Sequence, residues 1–166
     1  MLKIVIISDT HLDTTDKLKP TLIERIKSAD VVIHAGDADT VDFISDLRKI
    51  SKVLYAVRGN CDWGSDLPAK IVETFGEVRV GISHGTGNYN NVIDRMSYLF
   101  SDDNVNVIIF GHTHVPVNED IEGIRFINPG STHLNRNLNY GTFAELIVDE
   151  DYFTSKIVNI NNLDGA

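Results

Sequence analysis

Cysteine is nearly absent: Cys61 is the sole one in 166 residues. No intramolecular disulfide can form, and a reducing, cytoplasmic compartment is expected. Long apolar runs are absent too. None approaches the roughly 20 residues of a membrane-spanning helix, so no membrane partner is expected. The N-terminal apolar run is short and leads straight into Asp9 and His11, which does not read as a signal peptide. Positive charge is scarce, with 15 Lys and Arg against 24 Asp and Glu, a formal net charge of −9. With no basic track, long nucleic acid is not an expected partner. Repeats, low-complexity segments and linkers are also lacking. The length suits one domain over residues 1–160, followed by a polar tail at 161–166 expected to fray.

What is present is a recurring pattern. Val107-Ile108-Ile109-Phe110 is an apolar run that ends in Gly111-His112-Thr113-His114. A strand followed by a tight turn could aim both imidazoles into one cavity. Alone, this pair is as well explained by a polar loop. But Ile4-Val5-Ile6-Ile7-Ser8 leads to Asp9-Thr10-His11. Val31-Val32-Ile33 leads to Gly36-Asp37, and Val53-Leu54-Tyr55-Ala56-Val57 leads to Gly59-Asn60. Val78-Arg79-Val80-Gly81-Ile82 leads to His84-Gly85. Open α/β sheets place their sites at the carboxyl ends of strands, and adjacent glycines let the chain turn sharply.

In chain order, residues 2–8 predict a buried strand. Thr14, Thr15 or Asp16 caps a helix with Leu18, Leu22, Ile23 and Ile26 at helical spacing and Pro20 early. A second strand at 31–34 precedes a helix begun by Thr40 or Asp42, with Val41, Ile44, Leu47 and Phe43 as candidate core. A third strand at 52–57 completes a βαβαβ opening, which implies a parallel sheet with right-handed crossovers. Hairpins are expected around Gly76 and near Glu122-Gly123, with a last strand pair at 140–148 and 152–160. A helix is expected over 90–100, with Val92, Ile93, Met96, Leu99 and Phe100 inward, and a strand over 105–110.

The blocks Asp9-Thr10-His11, Gly36-Asp37, Gly59-Asn60-Cys61-Asp62, Ser83-His84-Gly85 and Gly111-His112-Thr113-His114 stand in an order that resembles the calcineurin-like metallophosphoesterases. The short length and the cysteine in the third block are most similar to that family's small phosphodiesterase branch. The resemblance implies an α/β/β/α four-layer sandwich of two mixed sheets flanked by helices. It also implies two divalent metal ions. Asp9, His11 and His114 would hold the first, and Asn60, His84 and His112 the second, with Asp37 bridging. Oxygen and imidazole donors without a thiolate suit Mn²⁺, favoured here, and also Ni, Co, Fe or Zn. Asp37, Asn60 and His84 are the residues placed nearest the chemistry. Two ions roughly 3.5–4 Å apart would clamp a small phosphodiester for attack by a bridging hydroxide. The acidic surface agrees with phosphate held by metal rather than by a basic patch.

Cys61 departs from the family's frequent histidine, which can protonate a leaving oxygen. A thiol with an ordinary pKa of about 8.5 is a poor substitute. Aryl esters, or diesters with an acidic leaving alcohol, are therefore the expected substrates; a bound water or a substrate group could serve as the acid instead. His34 reads as packed behind the ligands. Asp62 either orients a neighbour or is an ordinary turn residue, and His133 belongs at the rim. Trp63, Tyr98 and Phe100 read as core or contact surface. Arg58 either faces the site or pairs with surface carboxylates. The competing functions are a phosphomonoesterase acting on a nucleotide or phosphoprotein, and a protein-interaction scaffold with weak or no catalysis. Homo-oligomers through Trp63 or an edge strand are a further expectation.

Overall fold

The computed structural model describes residues 1–165. Ten strands form two five-stranded sheets. The first sheet contains β1 (Leu2–Ile7), β2 (Val31–His34), β3 (Leu54–Ala56), β9 (Thr142–Asp149) and β10 (Tyr152–Asn159), in the order β10-β9-β1-β2-β3. The second contains β4 (Lys70–Phe75), β5 (Val78–Ser83), β6 (Val107–Ile109), β7 (Val117–Ile121) and β8 (Ile124–Asn128), in the order β4-β5-β6-β8-β7. In the first sheet β1, β2 and β3 are parallel out to the β3 edge, with β9 and β10 joined by antiparallel pairing on the other side; in the second, parallel β5, β6 and β8 lie between antiparallel β4 and β7. The expected mixed sheets are thus present.

Period-two alternation explains the layers. In β1, Ile4 and Ile6 point between the sheets, where they meet Val80, Ile82, Val107 and Ile109. Val5 and Ile7 point the other way, under helices α1 (Pro20–Ser28) and α2 (Val41–Ile50). In the second sheet, Ile108 and Phe126 pack under Val92, Met96 and Phe100, from helix α3 (Val92–Leu99) and the residue after it. Three apolar layers therefore glue four structural layers, α/β/β/α, as the resemblance implied.

Several local expectations needed correction. Thr14 caps a short 3-10 turn at Thr15–Lys17, and α1 begins only at Pro20, where the fixed φ suits a first helical turn. Thr40 does cap α2, accepting from Phe43 N at 3.1 Å, and Phe43 rather than Val41 faces the core. Val41 stays 64% exposed because the cap sets the helix phase that turns it outward. Leu99 and Tyr98 are exposed while Phe100 is buried, since the chain leaves helical geometry at Phe100. Trp63 is exposed and not part of the core. The tail does not simply fray: Ile160–Gly165 winds as a 3-10 helix, with Leu163 packed on the α1–α2 side. Residue 166 lies outside the described residues.

Candidate metal centre

The carboxyl ends of β1, β2, β3, β5 and β6 converge on one edge of the sandwich. Each delivers the residues read from the sequence. What the sequence does not display is the backbone geometry that turns them inward. Asp9, His11, Asp37, Asp39, His112 and His114 all have positive φ, from 45° to 78°. Among the described residues, the three other non-glycine cases, Asn104, Glu122 and Glu150, lie in loops or turns away from this edge. Such conformations cost free energy, so the surrounding structure must hold them. Asp9 N donates to the Gly36 carbonyl at 2.9 Å and His11 N to the Asp37 carbonyl at 3.1 Å. Glycine is needed where the loops touch. A Cβ at Gly59 would collide with the Asp37 carboxylate and amide, and one at Gly111 would collide with Ser8 Oγ.

Four histidines share one arrangement. One ring nitrogen faces an oxygen acceptor outside the cluster, and the other faces the centre. Toward the outside, His84 Nδ1 meets the Ala35 carbonyl at 2.7 Å, His112 Nε2 the Gly87 carbonyl at 2.8 Å, and His114 Nδ1 the Leu134 carbonyl at 2.9 Å. His11 Nδ1 meets the Asp39 carboxylate at 2.7 Å. An acceptor there requires that nitrogen to carry the proton, so in the neutral ring the inward nitrogen keeps a lone pair. The inward atoms lie close together. His11 Nε2 and His114 Nε2 are 3.3 Å apart, and His114 Nε2 is 3.3 Å from Asp9 Oδ1. His84 Nε2 is 3.3 Å from Asp37 Oδ2 and 3.1 Å from Asn60 Oδ1, which also lies 3.0 Å from His112 Nδ1.

Asp37 stands between the two groups, with Oδ2 3.9 Å from His11 Nε2 and 3.3 Å from His84 Nε2. Its Oδ1 accepts from Cys61 N at 2.8 Å. Asp9 is fully buried, and its Oδ1 has no hydrogen-bond partner. A buried carboxylate oxygen left unpaired amid inward-facing lone pairs is costly unless a cation sits there. Asp9–His11–His114 and Asp9–Asp37–His84 each bring ligand atoms within 4.8 Å of one another, close enough to hold a metal ion. The donor set, carboxylate and imidazole oxygens and nitrogens, fits divalent transition metals.

The titration tendencies follow the same geometry. Burial by itself would raise the Asp37 carboxyl, but hydrogen bonding and charge from His84, the Cys61 N–H and His11 outweigh it and hold it well below the usual range. Burial opposes charge on His84, yet Asp37 and Asp9 raise its pKa overall. The Asp9 carboxylate beside its Nε2 raises His114, against burial. Burial, then the charge of Asp37, pushes the Cys61 thiol up to about 11. Cys61 is therefore a neutral thiol at pH 7, receiving an N–H from Asn60 at 3.4 Å.

The residues behind the ligands resolve the open readings. His34 is fully buried and accepts the Gly36 N–H at 3.1 Å on Nδ1, so its Nε2–H donates to Thr10 Oγ1 at 2.9 Å. Desolvation lowers its pKa to about 4. It therefore supports the Asp9–His11 loop as a neutral ring. Asp62 clamps three backbone amides: Asp37 N at 2.8 Å, Gly59 N at 2.7 Å and Asp39 N at 2.9 Å. His133 is exposed at the rim, its pKa lowered by desolvation and then by His11 and His114. Arg58 is exposed. Sequence reasoning missed Asp39, which orients His11. Ser131, in an Asn-Pro-Gly-Ser run that reads first as a turn and could shape the pocket, donates its Oγ–H to the Asp9 carbonyl at 2.7 Å. A carboxylate two residues after Asp37 was a visible signal for the first. The turn around Pro129 marked the second without its partner, which lies 122 positions away.

The chain is similar to known phosphoesterases in sequence and in fold. The model of the calcineurin-like phosphoesterase superfamily domain matches residues 2–151. A probable metallophosphoesterase of Methanocaldococcus jannaschii is 35% identical over 134 residues, covering 79% of this chain and 68% of that protein. A phosphodiesterase of the same organism is 29% identical over 145 residues, covering 78% of this chain and 83% of its own. Among solved structures, Vps29 of Entamoeba histolytica complexed with Zn²⁺ superposes with a TM-score of 0.81 at 20% identity, covering 99% of this chain and 95% of that one. Among the described residues, no helix is long and apolar enough to cross a membrane. With its strand-exit blocks gathered at one edge and most of its length matched, the chain belongs to the calcineurin-like phosphoesterase superfamily.

Proposed function

We propose that this protein is a dinuclear-metal phosphodiesterase that hydrolyses small phosphodiesters. The observation that carries the reading is the convergence of seven side chains whose inward atoms are all electron-pair donors, around one orphaned buried carboxylate oxygen. Asp9, His11 and His114 would hold one ion. Asn60, His84 and His112 would hold the other, and Asp37 would touch both. Mn²⁺ is the ion proposed, with Ni, Co, Fe or Zn chemically compatible. When bound, two such ions supply Lewis acidity toward phosphoryl oxygens and a water nucleophile of lowered pKa.

The chain's own contribution is positioning. Ala35, Gly87, Leu134 and Asp39 lock the four rings with their outer nitrogens protonated. Asn60 presents its amide at the most exposed side of the cluster, where it can also contact the phosphoryl group. In the reaction, oxygen from water joins phosphorus and the bond to the leaving alcohol's oxygen breaks. That oxygen departs as an anion or gains a proton. A thiol at Cys61 is a weaker general acid than the histidine frequent at this position, which favours aryl and other acidic leaving alcohols. A small diester, rather than a long nucleic acid, suits the net charge of −9.

Hydrolysis of bis(4-nitrophenyl) phosphate and 4-nitrophenyl phosphate by chelator-stripped protein, before and after Mn²⁺, tests the reading. The expected result is restored diester turnover exceeding monoester turnover, abolished in Asp37→Asn. Faster monoester turnover would replace it with a phosphomonoesterase. Binding of two ions with no turnover of either ester would favour a protein-interaction scaffold.

A further inference from the structure

The cluster has a closed floor and an open side. Asp9, Asp37 and His84 form the floor, with side-chain exposures of 0%, 4% and 5%, whereas His11 and His114 are each 18% exposed. A small ester reaches the floor only past the exposed ligands. On the His114 side it also meets the loop between β8 and β9, residues 129–141. That loop is tied down at both ends of its turn. Ser131 Oγ donates to the Asp9 carbonyl and accepts Leu134 N at 3.0 Å. Asn135 Oδ1 accepts Ser131 N at 2.7 Å, and its Nδ2 donates to the Tyr140 carbonyl at 2.9 Å. The turn then clasps His114 twice: its Nδ1 donates to the Leu134 carbonyl at 2.9 Å, and Arg136 N donates to the His114 carbonyl at 3.0 Å. A loop pinned to a ligand in this way is a rigid mount for the side chains it displays.

Two of those side chains, His133 and Arg136, are exposed. Both act electrostatically on the ligands beside them. The Asp9 carboxylate raises the His114 pKa and the Arg136 guanidinium opposes it; desolvation, then His11 and His114, lowers that of His133. The Arg136 guanidinium has no hydrogen-bond or ion-pair partner among the described residues, in a chain of net charge −9. A fixed positive charge beside a cation site is repelled by the cation, so the placement is favourable only when an anion lies between them. A guanidinium is also a planar fork that takes the oxygens of a phosphate or carboxylate in pairs. In the proposed reaction, the single negative charge on a diester's phosphorus belongs at the cluster. Arg136 is left for a second one.

We propose that the turn over residues 131–136 is an anion-binding arm of the substrate site: Arg136 binds a second oxyanion of the diester, such as a phosphate on one of its alcohols, with His133 bordering the same position. The assignment rests on the phosphodiesterase reading and narrows its substrates to small diesters that carry a further negative charge.

Two thymidine esters carry the test. Both release 4-nitrophenol from the 5′-phosphate, and they differ in a free or a phosphorylated 3′-hydroxyl. With the Mn²⁺-loaded protein, the 3′-phosphate should lower KM about 3–10-fold, the size of a partly exposed charge-assisted contact. In Arg136→Gln that ratio should fall to near unity, and Arg136→Lys should keep part of it. The ratio is taken within each variant, so general damage to the loop leaves it unmoved. In a second arm that needs no turnover, equilibrium dialysis compares thymidine 3′,5′-bisphosphate with thymidine 5′-monophosphate on the same Mn²⁺-loaded proteins. The same Arg136-dependent preference is expected. No preference for the second phosphate in either arm, or one that Arg136→Gln retains in full, would overturn the anion-binding arm while turnover of the esters left the diesterase intact. An Arg136-dependent preference in dialysis without turnover of either ester would uphold the anion site and remove the diesterase reading instead.

Discussion

The two halves of the proposed metal centre are built differently. Asp9, His11 and His114 come from only two strand exits, after β1 and β6, and all three have positive φ between 45° and 56°. Asn60, His84 and His112 come from three exits, after β3, β5 and β6, and Asp37, after β2, stands between the two groups. Asn60, in that half, is exposed, whereas Asp9 in the other is fully buried. The first half is preorganised by short loops pinned to the sheet; the second depends on separate loops keeping their register. Preorganisation lowers the free-energy cost of binding. The first half should therefore take its ion more tightly.

The largest expected effect tests that ordering directly. Calorimetric Mn²⁺ titration should show two phases. His114→Ala should weaken the tighter phase by about 10³-fold, more than the 10–100-fold typical of residues behind ligands. Asn60→Ala should weaken only the looser phase. The reverse assignment would break the comparison.

His34 sharpens it next, because it supports the first half through Thr10. Its folded pKa, about 4, lies below the ordinary value near 6.5, so the unfolded chain takes the proton first. Stability should fall as pH drops from about 6.5 and level off near 4, a loss of about 3 kcal/mol from this group. Denaturant unfolding of His34→Gln across that window should show a flatter pH dependence than wild type. An identical slope would remove the buried neutral ring as its cause.

Protons should also compete with metal in both halves. His114 in one and His84 in the other have raised pKa values, so each holds its proton to higher pH than an isolated histidine. Affinity should rise with pH until those groups are deprotonated. The gain is about tenfold per pH unit for each histidine still charged. Proton release, read by calorimetry in buffers of different ionisation enthalpy, checks this; release from one phase alone would separate the halves further.

The smallest effect comes from the supports. Asp39→Asn replaces the carboxylate facing His11 Nδ1 and should weaken the tight phase about tenfold. Asp62→Asn retains one acceptor for three amides, and should loosen mainly the second half, since Asp37 N and Gly59 N depend on it. Thermal unfolding of the Asp62→Asn protein, followed with and without metal, distinguishes lost stability from lost binding.

Much of the site could be read along the chain because its residues follow strands whose apolar character is local. Ile4–Ile7, Val31–Ile33 and Val107–Ile109 are recognisable as strands without any partner, and their exits are one or a few residues away. The supports were less legible. Asp62 reads as an ordinary turn residue until its three amide contacts are seen. Ser131 and Asp9 meet only when sheet and loop are assembled. Val41 looked apolar enough for the core, and only the Thr40 cap fixed the helix phase that leaves it in water.

By itself, the sequence determined the order of the strands along the chain and the mixed α/β class, and its resemblance to the family pointed to the candidate donors. Hydrophobic periodicity and ligand chemistry are properties of short segments. Tertiary structure alone decided that β5 and β6 stand opposite β1 and β2 in a second sheet, which turns the inward atoms of distant strands to within hydrogen-bond distance of one another. It also decided that Trp63 stands in water beside α2 rather than in the core. Those are long-range packing outcomes, set by which faces remain apolar once every strand has found its neighbour.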